Sequence, residues 1–338
     1  MEYTTLKSDP SFTFPKIING LWSMSGGHGK INIKHSFNDM IEYVNNGLYT
    51  FDMADHYGPA EDIYGELVVQ QQHQQSTSQG TLVNRPVQGF TKWFPRPGHM
   101  TLENVRTGIQ KSLNRMKLER IDLLQFHWWD YDDHRYIDAL DSLKILKDEG
   151  KINHIGLTNF DTNTMQKIVE HGIEIVTNQV SFSIIDRRAE KKMLSFCKDK
   201  DIYILAYGVC LGGLLSEKFL GVPEPSQTSL NTWSLTKYKD FVNRWGGWNL
   251  FQQLLEVLKQ IGIKHSVSLT LVAIKYVAQK EMVGAVVIGC RYGIHQHFQE
   301  NKQLFSFTLD SEDLDSIDKI CLKGDCMLGW NDCGDEFR

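Results

Sequence analysis

Short apolar runs alternate with stretches of helical periodicity along the whole chain, and this alternation constrains the fold most. Strands that are apolar on both faces are typical of a parallel sheet covered by helices. Eight strand–helix units in one continuous chain predict a single (β/α)8 TIM barrel. The predicted strands lie at residues 17–24, 50–52, 87–93, 121–128, 152–159, 175–181, 202–208 and 284–290.

An open, doubly wound sheet is the competing fold. It would carry the glycine pattern G-x-G-x-x-G after its first strand, and SGGHG at residues 25–29 does not match that pattern. The barrel is therefore favoured. No shift in composition marks a boundary, so residues 1–338 are predicted to form one domain, with residues 11–15 covering the lower end of the barrel.

Two internal segments depart from the repeat. Residues 69–81 are rich in glutamine and polar, and they are predicted to form a surface insertion after a helix that ends near Gln71. Residues 209–248 form a long aromatic stretch after the seventh strand. Long insertions of this kind at the active face are commonly lids, so we expect this loop to cover a binding site. The sequence leaves two alternatives open for the C-terminal tail, a further wall through Trp330 or a disordered end.

Charge and cysteine content narrow the class of protein. A net charge of -5 and a pI near 6.2 give no basic footprint for nucleic acid. The chain has no apolar run of membrane-spanning length and no N-terminal signal pattern, so a cytoplasmic location without a membrane partner is expected. The cysteines are expected to be free thiols, and no metal site is predicted. A zinc site on Cys321, Cys326 and Cys333 is the less favoured alternative, because zinc ligand pairs usually lie closer together.

Four chemically active side chains lie at consecutive strand ends. Asp52, Lys92 and His127 end the second, third and fourth predicted strands, and Tyr57 follows Asp52 by five residues. The active site of a barrel lies at this end of its strands. An ammonium would lower the pKa of the phenol, a carboxylate would hold the ammonium charged, and a histidine would donate a hydrogen bond to a substrate oxygen. Each residue alone could be rim packing, but together they indicate a site that protonates a carbonyl oxygen during hydride attack.

The ordered motifs FDMADHYGPAEDIYGE, GFTKW, LLQFHWW, IGLTNF and NQVSFS resemble those of the aldo-keto reductases over residues 17–309. These are NAD(P)H-dependent carbonyl reductases on a (β/α)8 barrel. The resemblance implies that Tyr57 is the general acid, that Lys92 and Asp52 tune its pKa, and that His127 orients the substrate.

The same resemblance implies a nicotinamide dinucleotide as cofactor. Its carboxamide would be held by Thr158, Asn159 and Gln179, and its nicotinamide ring would stack on Tyr207. Arg291 matches the cation that binds a 2′-phosphate, which favours NADPH over NADH, although Ile288 and His297 depart from the family pattern at neighbouring positions. The positions that match the adenine-binding pair are Glu300 and Asn301.

Aromatic residues at the strand ends predict the substrate pocket. Trp22, Trp93 and Trp128, with Trp129 as a fourth candidate, would form apolar walls suited to small-molecule aldehydes or ketones. Two other functions stay open, namely a non-enzymatic NADP(H)-sensing regulatory subunit and a Schiff-base lyase with Lys92 as nucleophile. The motifs leave the physiological substrate, the direction of reaction and the oligomeric state open.

Overall fold

The fold is a closed barrel of eight parallel strands, shown by a computed structural model that describes residues 1–77, 86–130, 132–294, 296–327 and 332–333. The predicted (β/α)8 barrel is confirmed. Two short strands, β1 (Tyr3–Thr5) and β2 (Thr13–Pro15), pair as an antiparallel hairpin outside it. The barrel strands follow in chain order as β3 (Ile17–Gly20), β4 (Thr50–Ala54), β5 (Gln88–Trp93), β6 (Ile121–His127), β7 (Ile152–Thr158), β8 (Thr177–Ser181), β9 (Tyr203–Tyr207) and β10 (Val283–Gly289).

Helices connect the strands and form the outer layer. They are α1 (Ile33–Asn45), α2 (Ala60–Thr77), α3 (Leu102–Met116), α4 (Tyr136–Asp148), α5 (Thr162–Glu170), α6 (Met193–Lys200), α7 (Trp233–Trp245), α8 (Gly247–His265), α9 (Leu269–Ala278), α10 (Phe298–Lys302) and α11 (Ser311–Cys321). Side-chain caps begin several of them. The Thr101 hydroxyl accepts the Asn104 amide at α3, and the Asp161 carboxylate accepts the Thr164 amide at α5.

The lower half of the barrel interior is apolar and closed from below. Inward-facing residues that include Ile18, Phe90 and Leu205 form a cluster with Phe12 and Phe14 of the hairpin region. The Phe14 and Phe90 rings meet edge to face with centroids 5.5 Å apart. The N-terminal segment therefore covers the lower end of the barrel, as the sequence predicts.

Helix α2 extends further into the Gln-rich segment than the sequence predicts. Helix α2 continues to Thr77, because glutamine is a good helix former. Gln71 is buried, and its Oε1 accepts the Val87 amide at 3.0 Å. The helix therefore ends at Thr77 rather than near Gln71, and residues 78–81 of the predicted insertion lie outside the described part of the chain.

The segment after β9 is more ordered than the sequence indicates. It contains α7 and three short 3-10 turns, and α8 already begins at Gly247. A further helix, α9, was not predicted and lies between α8 and β10. Within the described ranges no single helix is long and apolar enough to cross a membrane, and only α8 and α9 together reach that length, across a 90° bend.

Close packing of α2 on α3 generates a stability prediction. A Cβ at Gly65 would lie 2.1 Å from the Arg115 carbonyl oxygen, so Gly65→Ala must push the two helices apart. We expect a loss of about 1–3 kcal/mol in the free energy of unfolding, measured by urea denaturation. Gly98→Ala is the control, since its nearest neighbour would be 3.8 Å away. Equal stability of the two variants would contradict the close approach.

Candidate active site

A buried ion pair lies at the centre of the upper barrel. Lys92 Nζ donates to both oxygens of Asp52, at 2.7 and 2.6 Å, and each residue is only 3% exposed. Lys92 stands opposite Ala54, two residues beyond Asp52, so the register of β4 and β5 turns both side chains inward. Burial lowers the pKa of Lys92, and the Asp52 carboxylate opposes that effect.

Tyr57 lies on the turn after β4, beside this pair. Lys92 Nζ is 5.1 Å from the centroid of its ring. Burial, followed by the Asp52 carboxylate, raises the pKa of Tyr57 well above its ordinary value. The sequence predicts a lowered pKa for Tyr57, because a neighbouring ammonium stabilises the phenolate. Burial acts in the opposite direction, since it removes water from the phenolate. The phenol is therefore protonated at neutral pH, as a proton donor must be.

His127 ends β6 within an aromatic wall. Its ring centroid is 4.8 Å from that of Phe94 and 5.6 Å from that of Trp129. The His127 and Trp129 rings are stacked, with their planes inclined by 23°. The Phe94 and Trp129 rings are 5.1 Å apart. His56 extends the wall, 5.3 Å from Phe94 and 5.0 Å from Tyr57. The wall thus runs from the phenol of Tyr57 to the imidazole of His127.

Two of the predicted pocket tryptophans lie elsewhere. Trp93 packs outward on α3, where a Cβ at Gly108 would lie 2.6 Å from its Nε1. Trp128 is 1% exposed, packs against Phe126 and donates from Nε1 to the carbonyl of Asp130 at 2.7 Å. Both belong to the layer between strands and helices, so their assignment to the pocket is corrected. Trp22 stays near the mouth, 4.9 Å from the His28 ring.

The alternation of side chains along a strand explains this correction, and it identifies two site residues, Phe94 and Gln125, that the motifs do not indicate. Side chains two apart share a face of a strand. Counting from Lys92 leads to Phe94 rather than Trp93, and counting from His127 leads to Trp129 and back to Gln125. Gln125 is fully buried, and its Nε2 donates to Asp52 Oδ1 at 2.8 Å. The two-residue repeat of side-chain direction along each strand is the sequence signal that points to these residues.

The candidate carboxamide site lies on β7, β8 and β9. Thr158 ends β7, and its buried Oγ1 has no hydrogen-bond partner among the described residues. Asn159 takes a left-handed conformation (φ 59°), which asparagine tolerates, and its Oδ1 accepts the Tyr207 hydroxyl at 3.1 Å. Gln179 instead donates from Nε2 to Asp52 Oδ1 at 2.6 Å and to Gln125 Oε1 at 2.7 Å.

The candidate adenosine-phosphate site follows β10. Arg291 donates to the His28 carbonyl at 2.9 Å, and its buried Nε has no partner in the described chain. Asn301 is 4% exposed with its Nδ2 equally unpaired, whereas Glu300 accepts the Ser268 hydroxyl at 2.5 Å. Unsatisfied buried polar atoms at Thr158, Arg291 and Asn301 fit an extended polar ligand such as a dinucleotide.

Helix α7 covers the mouth of the barrel between the candidate carboxamide site and the candidate adenosine-phosphate site. The Trp233 amide donates to the Gly27 carbonyl at 3.0 Å, and Ser234 Oγ is 2.6 Å from His28 Nε2. Lys237 Nζ lies 5.3 Å from the Tyr207 ring centroid. The segment expected to be a lid therefore lies across the site, whereas Trp330 falls outside the described residues.

The cysteines form no metal centre in the described ranges. All six cysteines are in the thiol form, and no group of three or more His, Cys, Asp or Glu residues there could hold a metal ion. Burial raises the pKa of Cys197, Cys210 and Cys290 to about 12, which keeps those thiols protonated.

Comparison with curated proteins gives several that are named as reductases or oxidoreductases and a flagellar radial spoke protein. The NADH-specific methylglyoxal reductase of Escherichia coli is 28% identical over 58% of this chain and 64% of its own length. Flagellar radial spoke protein 5 of Chlamydomonas reinhardtii is 35% identical over 47% of this chain and 33% of its own. The chain thus spans less than two thirds of the length of these relatives.

Solved structures share the fold. The glycerol dehydrogenase from Gluconobacter oxydans aligns over 95% of both chains with a TM-score of 0.77 at 19% identity. That identity supports the barrel alone. The family model for the aldo/keto reductase family matches residues 16–321, which is most of the sequence. The chain therefore belongs to the aldo/keto reductase family.

Proposed function

We propose that this protein is an oxidoreductase that reduces aldehydes or ketones to alcohols with a nicotinamide dinucleotide. The observation that carries the proposal is the buried Lys92–Asp52 pair beside the Tyr57 ring. Relatives named as a methylglyoxal reductase and a glyoxal reductase support the reaction class.

Within this proposal each side chain has one task. The bound dinucleotide supplies a hydride to the carbonyl carbon. Tyr57 gives its hydroxyl proton to the carbonyl oxygen as that oxygen becomes negative, and the Lys92 ammonium stabilises the resulting phenolate. Asp52 keeps the ammonium paired, and His127 donates to the same substrate oxygen. Reversal of these roles would oxidise an alcohol.

The cofactor would lie from Tyr207 towards Asn301. Thr158 would bind the carboxamide, since its buried hydroxyl lacks a partner in the described chain. Arg291, with its unpaired Nε, would bind an added phosphate, and NADPH is the proposed cofactor for that reason. Asn301 would donate to the adenine from its unpaired Nδ2.

A Schiff-base reaction at Lys92 is disfavoured. Its Nζ already donates to both Asp52 oxygens and lies 3.3 Å from the Met53 carbonyl oxygen. An amine nucleophile needs a free lone pair and access to substrate, and Lys92 is 3% exposed. A non-catalytic role is the second candidate, because one relative is named as a radial spoke protein.

Turnover separates these candidates. We expect wild-type protein to oxidise NADPH over many cycles with aliphatic, aromatic or sugar aldehydes, and NADH more slowly, followed by absorbance. Tyr57→Phe should lower kcat by at least about 100-fold, because the proton donor is lost. It should keep cofactor affinity, measured by fluorescence titration.

The control for that variant is Tyr64→Phe. It removes a buried hydroxyl that donates to the Val87 carbonyl at 3.2 Å, away from the site. Its kcat should stay within about twofold of wild type, with a stability loss of about 1 kcal/mol. Cofactor binding without turnover in the wild type would favour the non-catalytic role.

The pH profile should report Lys92. Burial lowers the pKa of Lys92 from 10.5, so its ammonium loses a proton at a lower pH than that of an exposed lysine. We therefore expect kcat/KM for reduction to fall on the alkaline side below pH 10.5. Lys92→Arg should leave a residual activity without this fall, since a guanidinium stays charged.

Lys275→Arg is the matched control for the pH profile. Lys275 is also buried with a lowered pKa, but its Nζ donates to the Leu304 carbonyl outside the site. This variant should keep the wild-type profile. An unchanged alkaline fall in Lys92→Arg would show that another group titrates.

The corrected pocket can be tested with a pair of tryptophans. Trp129→Ala removes part of the wall beside His127 and should raise KM for an aromatic aldehyde by about 10-fold. Trp93→Phe loosens packing on α3 and should lower the melting temperature with KM within about twofold. A raised KM in Trp93→Phe together with an unchanged KM in Trp129→Ala would show that Trp93 contacts the substrate.

A further inference from the structure

Three side chains donate hydrogen bonds to the Asp52 carboxylate, and two of them are glutamine amides. Its Oδ1 accepts Lys92 at 2.7 Å, Gln125 at 2.8 Å and Gln179 at 2.6 Å. All four residues are at most 3% exposed. Gln125 has no part in the proposed proton transfer, yet it contacts two of the residues assigned to the site.

Chemistry fixes the orientation of both amides. A carboxylate can only accept, so each glutamine must turn its nitrogen towards Asp52. Gln179 Nε2 carries two N–H groups, and it donates one to Asp52 and one to Gln125 Oε1, at 2.7 Å. Gln179 therefore presents its carbonyl oxygen, and not its nitrogen, to a ligand above the barrel.

The strand register allows this arrangement. Gln125 stands opposite Lys92 on β5 and opposite Gly156 on β7. A Cβ at Gly156 would lie 2.2 Å from Thr177 Oγ1 and 3.3 Å from Leu123 Cδ1, so the position is filled by its neighbours. Because β7 contributes no side chain there, the amides of β6 and β8 meet directly.

We propose that Gln125 is a positioning residue that holds the Asp52 carboxylate and the Gln179 amide in one fixed arrangement. It does so by donating to Asp52 and accepting from Gln179. The inference rests on the proposed reductase function, because Asp52 has its task only there. A buried polar network of this kind is coupled, so loss of one member disturbs the others.

Gln125→Met tests the proposal, because methionine has a similar length and neither donor nor strong acceptor. We expect kcat for reduction to fall by about 10- to 100-fold, since small displacements of catalytic groups are costly. KM for the carbonyl should stay within about threefold, because Gln125 lies below the substrate wall. A kcat within threefold of wild type would overturn the proposal.

A double-mutant cycle then separates positioning from general packing. Gln125→Met and Gln179→Met should be non-additive, with a coupling of about fivefold or more in kcat/KM, because both act on Asp52 Oδ1. Gln88→Met is the matched control. It loses a hydrogen bond to the Thr13 carbonyl and one from Thr50 in the lower barrel, and it should combine with Gln125→Met multiplicatively. Multiplicative effects in both cycles would contradict the network.

Gln125→Glu adds a readout that is independent of turnover. Asp52 and Lys92 are the titratable groups that face this position, and His127 follows two residues later on the same strand. The introduced carboxyl is buried beside Asp52, so its folded pKa rises above the ordinary value of about 4.3. The stability it retains when protonated is therefore lost as pH rises through that raised pKa.

The melting temperature of Gln125→Glu should fall relative to that of Gln125→Met between about pH 5 and pH 8, and its activity relative to wild type should fall in parallel. A constant difference in melting temperature would overturn the placement of Gln125 beside Asp52. If the wild type shows no turnover, the reductase function fails while this stability measurement still decides the network.

Discussion

The ion pair between Lys92 and Asp52 is the interaction on which the upper half of the barrel depends. Both groups are withdrawn from water, and a buried charge without its partner typically costs 3–5 kcal/mol. The barrel meets this demand by bringing three other strands to the Asp52 carboxylate, with Lys92, Gln125 and Gln179 as donors. Those strands must keep their register, so the chemistry and the closure of the barrel constrain each other.

The two faces of each strand have different roles, one in packing against the helices and the other in forming the barrel interior. Facing outward, residues such as Trp93 and Trp128 pack against helices and form the main core. Facing inward, the lower positions are apolar and the upper ones polar, as the step from Phe90 to Lys92 shows. This vertical division lets the hairpin and lower cluster stabilise the barrel while the upper layer holds charges.

The mouth of the site is formed by segments outside the regular repeat. Helix α7 contacts the loop after β3 through Trp233 and Ser234, and it places Lys237 over Tyr207. Barrel folds host many reactions because such loops vary while the strands persist. Substrate choice in this protein is therefore expected to depend on the wall of Phe94 and Trp129 and on the cover that α7 provides.

The sequence by itself determined the number and order of the strands and the positions of Asp52, Tyr57, Lys92 and His127, because apolar runs and the turns after them are local features. Tertiary structure decided which tryptophans face the site, since that depends on strand register and on how helices such as α3 pack against the strands. It also decided the direction of the Tyr57 pKa, because desolvation depends on everything packed around the phenol. The role of Gln125 arose in the same way, from three strands meeting at one carboxylate that no single motif contains.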